Sequence, residues 1–198
     1  KLFAQEYECE WTTTELQVYD LNEEKHLVDL EHIQARDRRY EFIAGLDVGY
    51  RDENVFIVIA TDGEEFYLVD EYVSNETTTS TLAEEIQEKL DEWGIDSIYI
   101  DSAAQQLKAD LAYDYDIYCE NAIKSVNDGI AAVQVLIEND KLLVDVNKCG
   151  HTYSSLSSYK WNPRTENPKP VHDWASHASD AVRYAIYTHQ KRSVGIFA

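Results

Sequence analysis

The pattern of apolar and polar positions divides the chain near residue 42. Residues 1–41 are highly charged and only weakly periodic, and they include an acidic, helix-like run at 22–33. From residue 42 onward, short apolar runs alternate with turns and amphipathic segments. We therefore interpret residues 1–41 as a linker or the end of a preceding domain, and residues 42–198 as one folded domain.

Three consecutive apolar runs predict antiparallel strands at the start of this domain. The runs are FIAGLDV from Phe42, NVFIVIATD from Asn54 and FYLVDEYV from Phe66, and the turn Asp62-Gly63 separates the last two. Runs rich in β-branched and aromatic residues are typical of strands, and Asp-Gly is typical of a tight hairpin turn. The first run is apolar almost throughout, which favours a central strand that is covered on both faces.

Helical and strand patterns alternate over the rest of the domain. Ser80 or Thr81 as N-cap, with Glu84 completing a capping box, predicts a helix that Gly94 ends. SIYID predicts a buried strand that ends at Asp101, and LLVDV predicts another. The remaining predictions are helices over 103–112, from about 127, over 153–161 and over 173–189, a strand over 117–122 and a proline-containing loop over 162–171. This order indicates an α/β fold with a mixed central β-sheet flanked by helices.

Composition restricts the function. The formal charge of the chain is −21. Taken alone, this charge argues against nucleic-acid binding, because phosphate-binding domains are usually basic. Either the carboxylates form a solvated surface, or some converge on divalent cations that then meet phosphate; in both cases we expect weak affinity for DNA. No apolar run approaches the roughly 20 residues of a membrane span, and no signal peptide is visible. The chain has no methionine, which indicates a processed product or a piece of a longer chain, and its three cysteines are expected to be buried free thiols.

Three aspartates stand at positions from which they can converge. Asp47 lies at the end of the first strand, and Asp101 ends a later strand that we predict to be parallel to it. Sites in open α/β sheets form at the carboxyl ends of such strands. Asp180 lies on the last helix, three residues after His177, and this spacing places both on one helix face. Hard divalent cations prefer carboxylate oxygens, and two such ions can catalyse phosphodiester hydrolysis.

Each of these residues also has a structural explanation. Asp47 fits a turn, and Asp101 fits a helix N-cap. Asp180 can pair with Arg183 or Tyr184 as a surface contact along the helix, and His177 can be a cap or a surface histidine. The combination of two strand-end aspartates with His-x-x-Asp on a terminal helix is what favours a metal site.

Four segments resemble the nuclease domain of the large terminase subunit of tailed double-stranded DNA bacteriophages. They are GLDVG (45–49), IYIDSA (98–103), AIKSVNDGI (122–130) and SHASDAVRYAI (176–186). The last is the most specific, because family members typically carry His-x-x-Asp-Ala-x-Arg-Tyr there. The resemblance extends over residues 42–187 and implies an RNase H-like fold. The segment FAQEYECEW (3–11) resembles the end of the family's ATPase domain, which would make residues 1–41 the connector between the two domains.

The resemblance also implies roles for individual residues. Metal-binding and catalytic roles fall on Asp47, Asp101 and Asp180, which would hold two Mg²⁺ or Mn²⁺ ions. His177 matches a histidine beside this site and would orient a carboxylate or a water, or move a proton. Lys124 matches a lysine of the family's AxK segment, for which we expect a phosphate contact; a surface lysine is the alternative.

Other parts of the chain are less specific. Family members often carry a glutamate where this chain has TYSSLSSY (152–159), and because this chain has no acidic residue there, we assign no fourth acidic ligand to this segment. Asp70 and Asp173 are candidates for outer carboxylates, but a strand-surface acid and a helix cap are the favoured explanations. Three basic residues near the proline-containing loop either contact DNA or belong to an ordinary connection; they are Lys160, Arg164 and Lys169.

The resemblance implies an endonuclease that cuts concatemeric double-stranded DNA during phage packaging, in the cytoplasm of the infected bacterial host. The partners it implies are the terminase ATPase domain, the small terminase subunit and the portal, with no membrane. The chain lacks a phosphate-loop motif of the form G-x-x-x-x-G-K-[ST], so it does not itself carry the ATPase. The alternatives are another RNase H-like nuclease of the resolvase or transposase type, and a non-catalytic module that docks on the packaging motor.

Overall fold

The computed structural model of the chain describes residues 16–49, 53–164 and 169–195. Over these ranges it consists of a mixed seven-stranded sheet with helices on both faces. The strands are β1 (Leu27–Val28), β2 (Glu41–Val48), β3 (Glu53–Thr61), β4 (Phe66–Asn75), β5 (Ser97–Ile100), β6 (Glu120–Asn121) and β7 (Leu142–Asp145). The helices are α1 (Glu23–His26), α2 (Thr79–Trp93), α3 (Gln105–Tyr115), α4 (Val126–Glu138), α5 (Gly150–Ser158) and α6 (Trp174–Gly195). The segment at 3–11 and Cys9 lie outside the described residues.

The sheet has the order β1-β7-β4-β3-β2-β5-β6. Strands β2, β3 and β4 pair antiparallel, as their sequence predicts, and Gly63 in the β3–β4 turn has a φ of 97°, a conformation that glycine adopts readily. Strand β5 pairs parallel to β2, and β7 pairs parallel to β4. The predicted α/β fold with a mixed central sheet is therefore confirmed.

Strand β2 contributes side chains to the apolar layers on both faces of the sheet. These side chains alternate between the two faces, as strand geometry requires. Phe42, Ala44 and Leu46 pack with α2 and the end of α3, whereas Ile43 packs with α4, α5 and α6. Asp47 is two positions beyond Gly45 and four beyond Ile43, so it lies on the α6 face.

Residues 16–41 pack against this domain. Val18, Tyr19, Leu30 and Ile33 are buried in its two apolar layers, and β1 pairs with β7 at one edge of the sheet. The division of the chain at residue 42 stays a prediction, but residues 16–41 contribute directly to the core.

Several element boundaries differ from those predicted. The N-cap of α2 is Thr78, whose Oγ1 accepts a hydrogen bond from the amide of Thr81, because the run of threonines offers several capping side chains. Only two residues of the predicted strand over 117–122 pair with β5. Helix α5 begins at Gly150 and ends at Ser158, since the chain is extended at Tyr159 and forms the antiparallel bridge of Trp161 with Pro170.

Two smaller predictions concern the cysteines and the membrane. Cys119 and Cys149 are buried and free, as expected, and burial raises the pKa of the Cys119 thiol to about 11.

None of the helices in the described parts of the chain is long and apolar enough to cross a membrane.

Candidate functional site

Two of the three aspartates lie side by side at the carboxyl ends of parallel strands. Leu46 of β2 is paired with Ile100 of β5, and Asp47 and Asp101 are the next residues on each strand. Because side chains along a strand alternate between the two faces of the sheet, the side chains of Asp47 and Asp101 both lie on the face covered by α6. The sequence-predicted convergence of these two residues is therefore a consequence of the strand register.

Helix α6 carries the third aspartate and crosses β2 at very short range. A Cβ atom on Gly45 would lie 1.9 Å from the carbonyl oxygen of Ala181, which is the residue after Asp180. Glycine is therefore required where the helix meets the strand, and this close approach brings Asp180 to the strand that carries Asp47.

Asp47 is held by the histidine of the His-x-x-Asp pair. Nδ1 of His177 lies 2.8 Å from Oδ2 of Asp47. Burial raises the pKa of the Asp47 carboxyl, the hydrogen bond with His177 opposes this, and the negative charges of Asp180 and Asp101 add to it. Asp180 and Asp101 are thus close enough to Asp47 to act on it electrostatically.

Asp101 has three hydrogen-bonding partners. Nζ of Lys124 lies 2.5 Å from Oδ1, the backbone amide of Ala103 donates to the same oxygen, and the Tyr184 hydroxyl is 3.4 Å from Oδ2. Burial alone would raise the pKa of Asp101, but the bonds from Lys124, Ala103 and Tyr184 outweigh it and the pKa is lowered. Lys124 is therefore an ion-pair partner of Asp101, although its side chain remains 49% exposed.

Asp180 pairs with Arg183 one turn along α6, where Nη2 lies 2.8 Å from Oδ1. Tyr184 lies close enough to the carboxylates to sense their charge: burial raises the pKa of its hydroxyl, and the charges of Asp180, Asp47 and Asp101 raise it further. The helix pattern associates Tyr184 only with Asp180, whereas in the structure its hydroxyl lies 3.4 Å from Oδ2 of Asp101.

A groove of about 470 Å³ opens beside Asp180. It runs between the start of α4, the segment 169–172 and α6, and its walls include Asn127, Tyr159, Lys169, His172 and Ser176. Lys169 is thus the one loop lysine of the sequence prediction that the structure brings to the site.

The other candidates lie elsewhere. Lys160 and Arg164 are exposed, and no hydrogen bond or ion pair links either side chain to the aspartates within the described residues. Asp173 accepts a hydrogen bond from the Ala175 amide at the start of α6, as a helix cap does. Asp70 is buried rather than on the strand surface, because it accepts hydrogen bonds from Lys89 and Trp93 of α2. It belongs to the opposite layer.

The structural explanations considered for the aspartates also hold in part. Asp101 forms a turn with Ala103, and Asp180 pairs with Arg183. Within 16–49, 53–164 and 169–195, no three His, Cys, Asp or Glu side chains already form a group able to hold a metal ion. The site therefore has carboxylates that are close together but individually paired.

The sheet order and the carboxylates at its β2–β5 edge define an RNase H-like protein. Residues 44–188 match the family described as the terminase RNaseH-like domain, and the chain belongs to this family. The chain is 38% identical over 197 residues to the large terminase subunit of Escherichia phage T5. That match covers 94% of this chain and 45% of the relative, so the chain spans about half the length of the curated relative.

Solved structures of terminase nuclease domains share the fold. The large terminase nuclease domain of bacteriophage SPP1, solved with bound Mn, is 22% identical with a TM-score of 0.64, covering 82% of this chain and 96% of that one. The large terminase nuclease of the thermophilic phage G20c, solved with bound magnesium, is 16% identical with a TM-score of 0.68, covering 87% and 97%.

Proposed function

We propose that this chain is the metal-dependent endonuclease domain of a phage packaging terminase, and that it cuts concatemeric double-stranded DNA by phosphodiester hydrolysis. Asp47, Asp101 and Asp180 are the proposed metal ligands. The observation that carries the proposal is the register of β2 and β5, which brings Asp47 and Asp101 side by side, together with the close crossing of β2 by the helix that carries Asp180. Asp180 and Asp101 both raise the pKa of the Asp47 carboxyl.

The donor set fits a divalent cation such as Mg²⁺ or Mn²⁺. Clustered carboxylates raise one another's pKa because their negative charges repel, and a bound cation would relieve that repulsion. Hard cations prefer carboxylate oxygens to nitrogen or sulfur. The bound metals in the SPP1 and G20c nuclease structures support the same choice of ion.

When bound, two such ions would activate a water and stabilise the leaving oxygen. His177 would fix the orientation of the Asp47 carboxylate through Nδ1. Lys124 would hold Asp101 in the metal-free protein and, because half of its side chain is exposed, would be able to turn to a phosphate when a metal takes the carboxylate. Lys169 would supply a second cation to the backbone of DNA in the adjoining groove.

Because the chain is acidic, other components of the packaging machinery would have to bring DNA to it. At a net charge of −21 the chain itself attracts DNA poorly, so the metals must supply positive charge at the site. We propose that the terminase ATPase domain, the small subunit and the portal bring double-stranded DNA to this domain in the host cytoplasm. Residues 1–41 would connect the ATPase domain to the sheet.

Cleavage of linear double-stranded DNA at low salt tests the proposal. The chain should cut with Mn²⁺ or Mg²⁺ and not with EDTA, and Asp47→Asn, Asp101→Asn and Asp180→Asn should each abolish cutting while circular dichroism stays unchanged. Asp114→Asn, an exposed aspartate on α3, is the control and should cut normally.

Two outcomes would contradict the proposal. A strong preference for branched over linear DNA would indicate a resolvase-type enzyme. Absence of metal-dependent cutting at any protein concentration, with partner binding intact, would indicate a docking module.

A further inference from the structure

Arg183 places a buried positive charge directly behind one of the proposed ligands. Its side chain is 3% exposed, whereas that of Asp180 is 21% exposed. Both of its hydrogen bonds, from Nε at 3.2 Å and from Nη2 at 2.8 Å, go to Oδ1 of Asp180. The second carboxylate oxygen, Oδ2, stays outside this ion pair.

The guanidinium is confined by its surroundings. It lies over the ring of Tyr184, with Cζ 4.7 Å from the ring centroid. The aliphatic part of the side chain fills the space above Gly129 of α4, where a Cβ atom would come within 2.7 Å of Cγ and 2.9 Å of Cδ. Arg183 can adopt this position only because residue 129 has no side chain.

Stability of the fold explains this arrangement poorly. The Nη1 group of Arg183 is buried without a hydrogen-bond partner among the described residues, and an unsatisfied buried donor is destabilising. Buried ion pairs also often contribute less stability than apolar side chains of the same size. Contact with DNA is excluded as well, because the guanidinium is covered by protein.

We propose that Arg183 is a positioning residue that fixes the Asp180 carboxylate for metal binding, and that Gly129 is required because it makes room for Arg183. The inference rests on the proposed function, in which Asp180 is a metal ligand. Residues that hydrogen-bond to a metal-ligating carboxylate fix its orientation, and their loss typically weakens metal binding by about 10- to 100-fold.

The charge of Arg183 must be kept constant in any test. A neutral replacement would lose the positioning of Asp180, which weakens metal binding. It would also remove a positive charge that repels the metal, which strengthens binding, so the two effects would oppose each other. Arg183→Lys keeps the charge but cannot form both hydrogen bonds with the geometry of a guanidinium. Gly129→Ala keeps every charge and displaces the Arg183 side chain.

Mn²⁺ binding to the 198-residue chain, measured by titration calorimetry, is the readout, together with thermal unfolding in EDTA. Arg183→Lys and Gly129→Ala should each raise the Mn²⁺ dissociation constant by about tenfold or more. Gly150→Ala is the matched control, because a Cβ atom at this helical glycine would meet nothing within 4 Å. It should leave the dissociation constant unchanged.

The remaining outcomes separate this inference from the proposed function. If the wild type binds Mn²⁺ and Asp180→Ala does not, while both variants bind within twofold of the wild type, the role of Arg183 is refuted and the proposed function stands. If neither variant folds, Arg183 is required for folding rather than for positioning Asp180, and the inference is also overturned. If the wild type does not bind Mn²⁺, the proposed metal site itself fails.

Discussion

The contact between Gly45 and helix α6 leaves no room for a side chain. The Cβ atom introduced by Gly45→Ala would lie 1.9 Å from the Ala181 carbonyl oxygen and 2.7 Å from its carbonyl carbon. Ordinary van der Waals contact begins at 3.4 Å, so the helix and strand must separate by about 1.5 Å. The obstacle is backbone, and no side-chain rotation can relieve it.

The separation should affect both stability and activity. Overpacking of a close-packed interior costs about 1–3 kcal/mol, partly offset by about 0.5–1 kcal/mol because alanine is less flexible than glycine in a strand. We therefore expect the free energy of unfolding to fall by about 1–1.5 kcal/mol. Since α6 carries Asp180 and β2 carries Asp47, the same movement displaces one proposed ligand from the other, and a displacement of about 1 Å can lower a rate by roughly 10²-fold.

Urea unfolding and the DNA cleavage rate measure the two effects on the same protein. Gly150→Ala is again the control, since its Cβ atom is unobstructed. If Gly45→Ala unfolds at the wild-type urea concentration and cleaves at the wild-type rate, the close crossing of α6 over β2 is not what assembles the site.

Three further predictions follow from the charges. Asp47→Asn should stabilise the metal-free chain at neutral pH, because burial, Asp180 and Asp101 raise the pKa of Asp47 and its ionised form is unfavourable; urea unfolding should show this gain shrinking as the pH falls through the folded-state pKa. Mn²⁺ at 100 times its dissociation constant should stabilise the wild type by about 2.7 kcal/mol in thermal unfolding, and Asp180→Ala should lose most of this gain. Asp70→Asn leaves the buried end of Lys89 without its carboxylate and should cost about 3 kcal/mol in urea unfolding, with unchanged Mn²⁺ affinity in calorimetry.

The strands that carry the site were predictable because their signals are local. The apolar runs end at Asp47 and Asp101, and the alternation of a strand fixes the face on which each side chain lies. The three-residue spacing of His177 and Asp180 likewise places both on α6 without knowledge of the rest of the fold.

The partners of Asp47 and Asp101 were not predictable, because they come from other parts of the chain. His177 contacts Asp47, which is 130 positions away, although the helix pattern alone associates it with Asp180. The bond of Lys124 to Asp101 depends on how the loop before α4 returns to the sheet. Gly129 and Arg183 are 54 positions apart, and only their packing shows why residue 129 is glycine.

Boundaries that depend on competition between neighbouring side chains were also missed. Thr78 rather than Ser80 or Thr81 caps α2, since several hydroxyls in one run can each accept the same kind of bond. The packing of Tyr19 and Leu30 into the domain was hidden by the charged sequence around them, because burial of single apolar residues leaves no periodic pattern.

Asp47, Asp101 and Asp180 are proposed to bind divalent metal together. The most direct measurement is a crystal structure of the chain soaked in Mn²⁺, with anomalous scattering recorded for the metal. We expect anomalous density bounded by the three carboxylates, with Lys124 displaced from Asp101. Well-ordered carboxylates with no anomalous density between them at saturating Mn²⁺ and in the presence of DNA would contradict it.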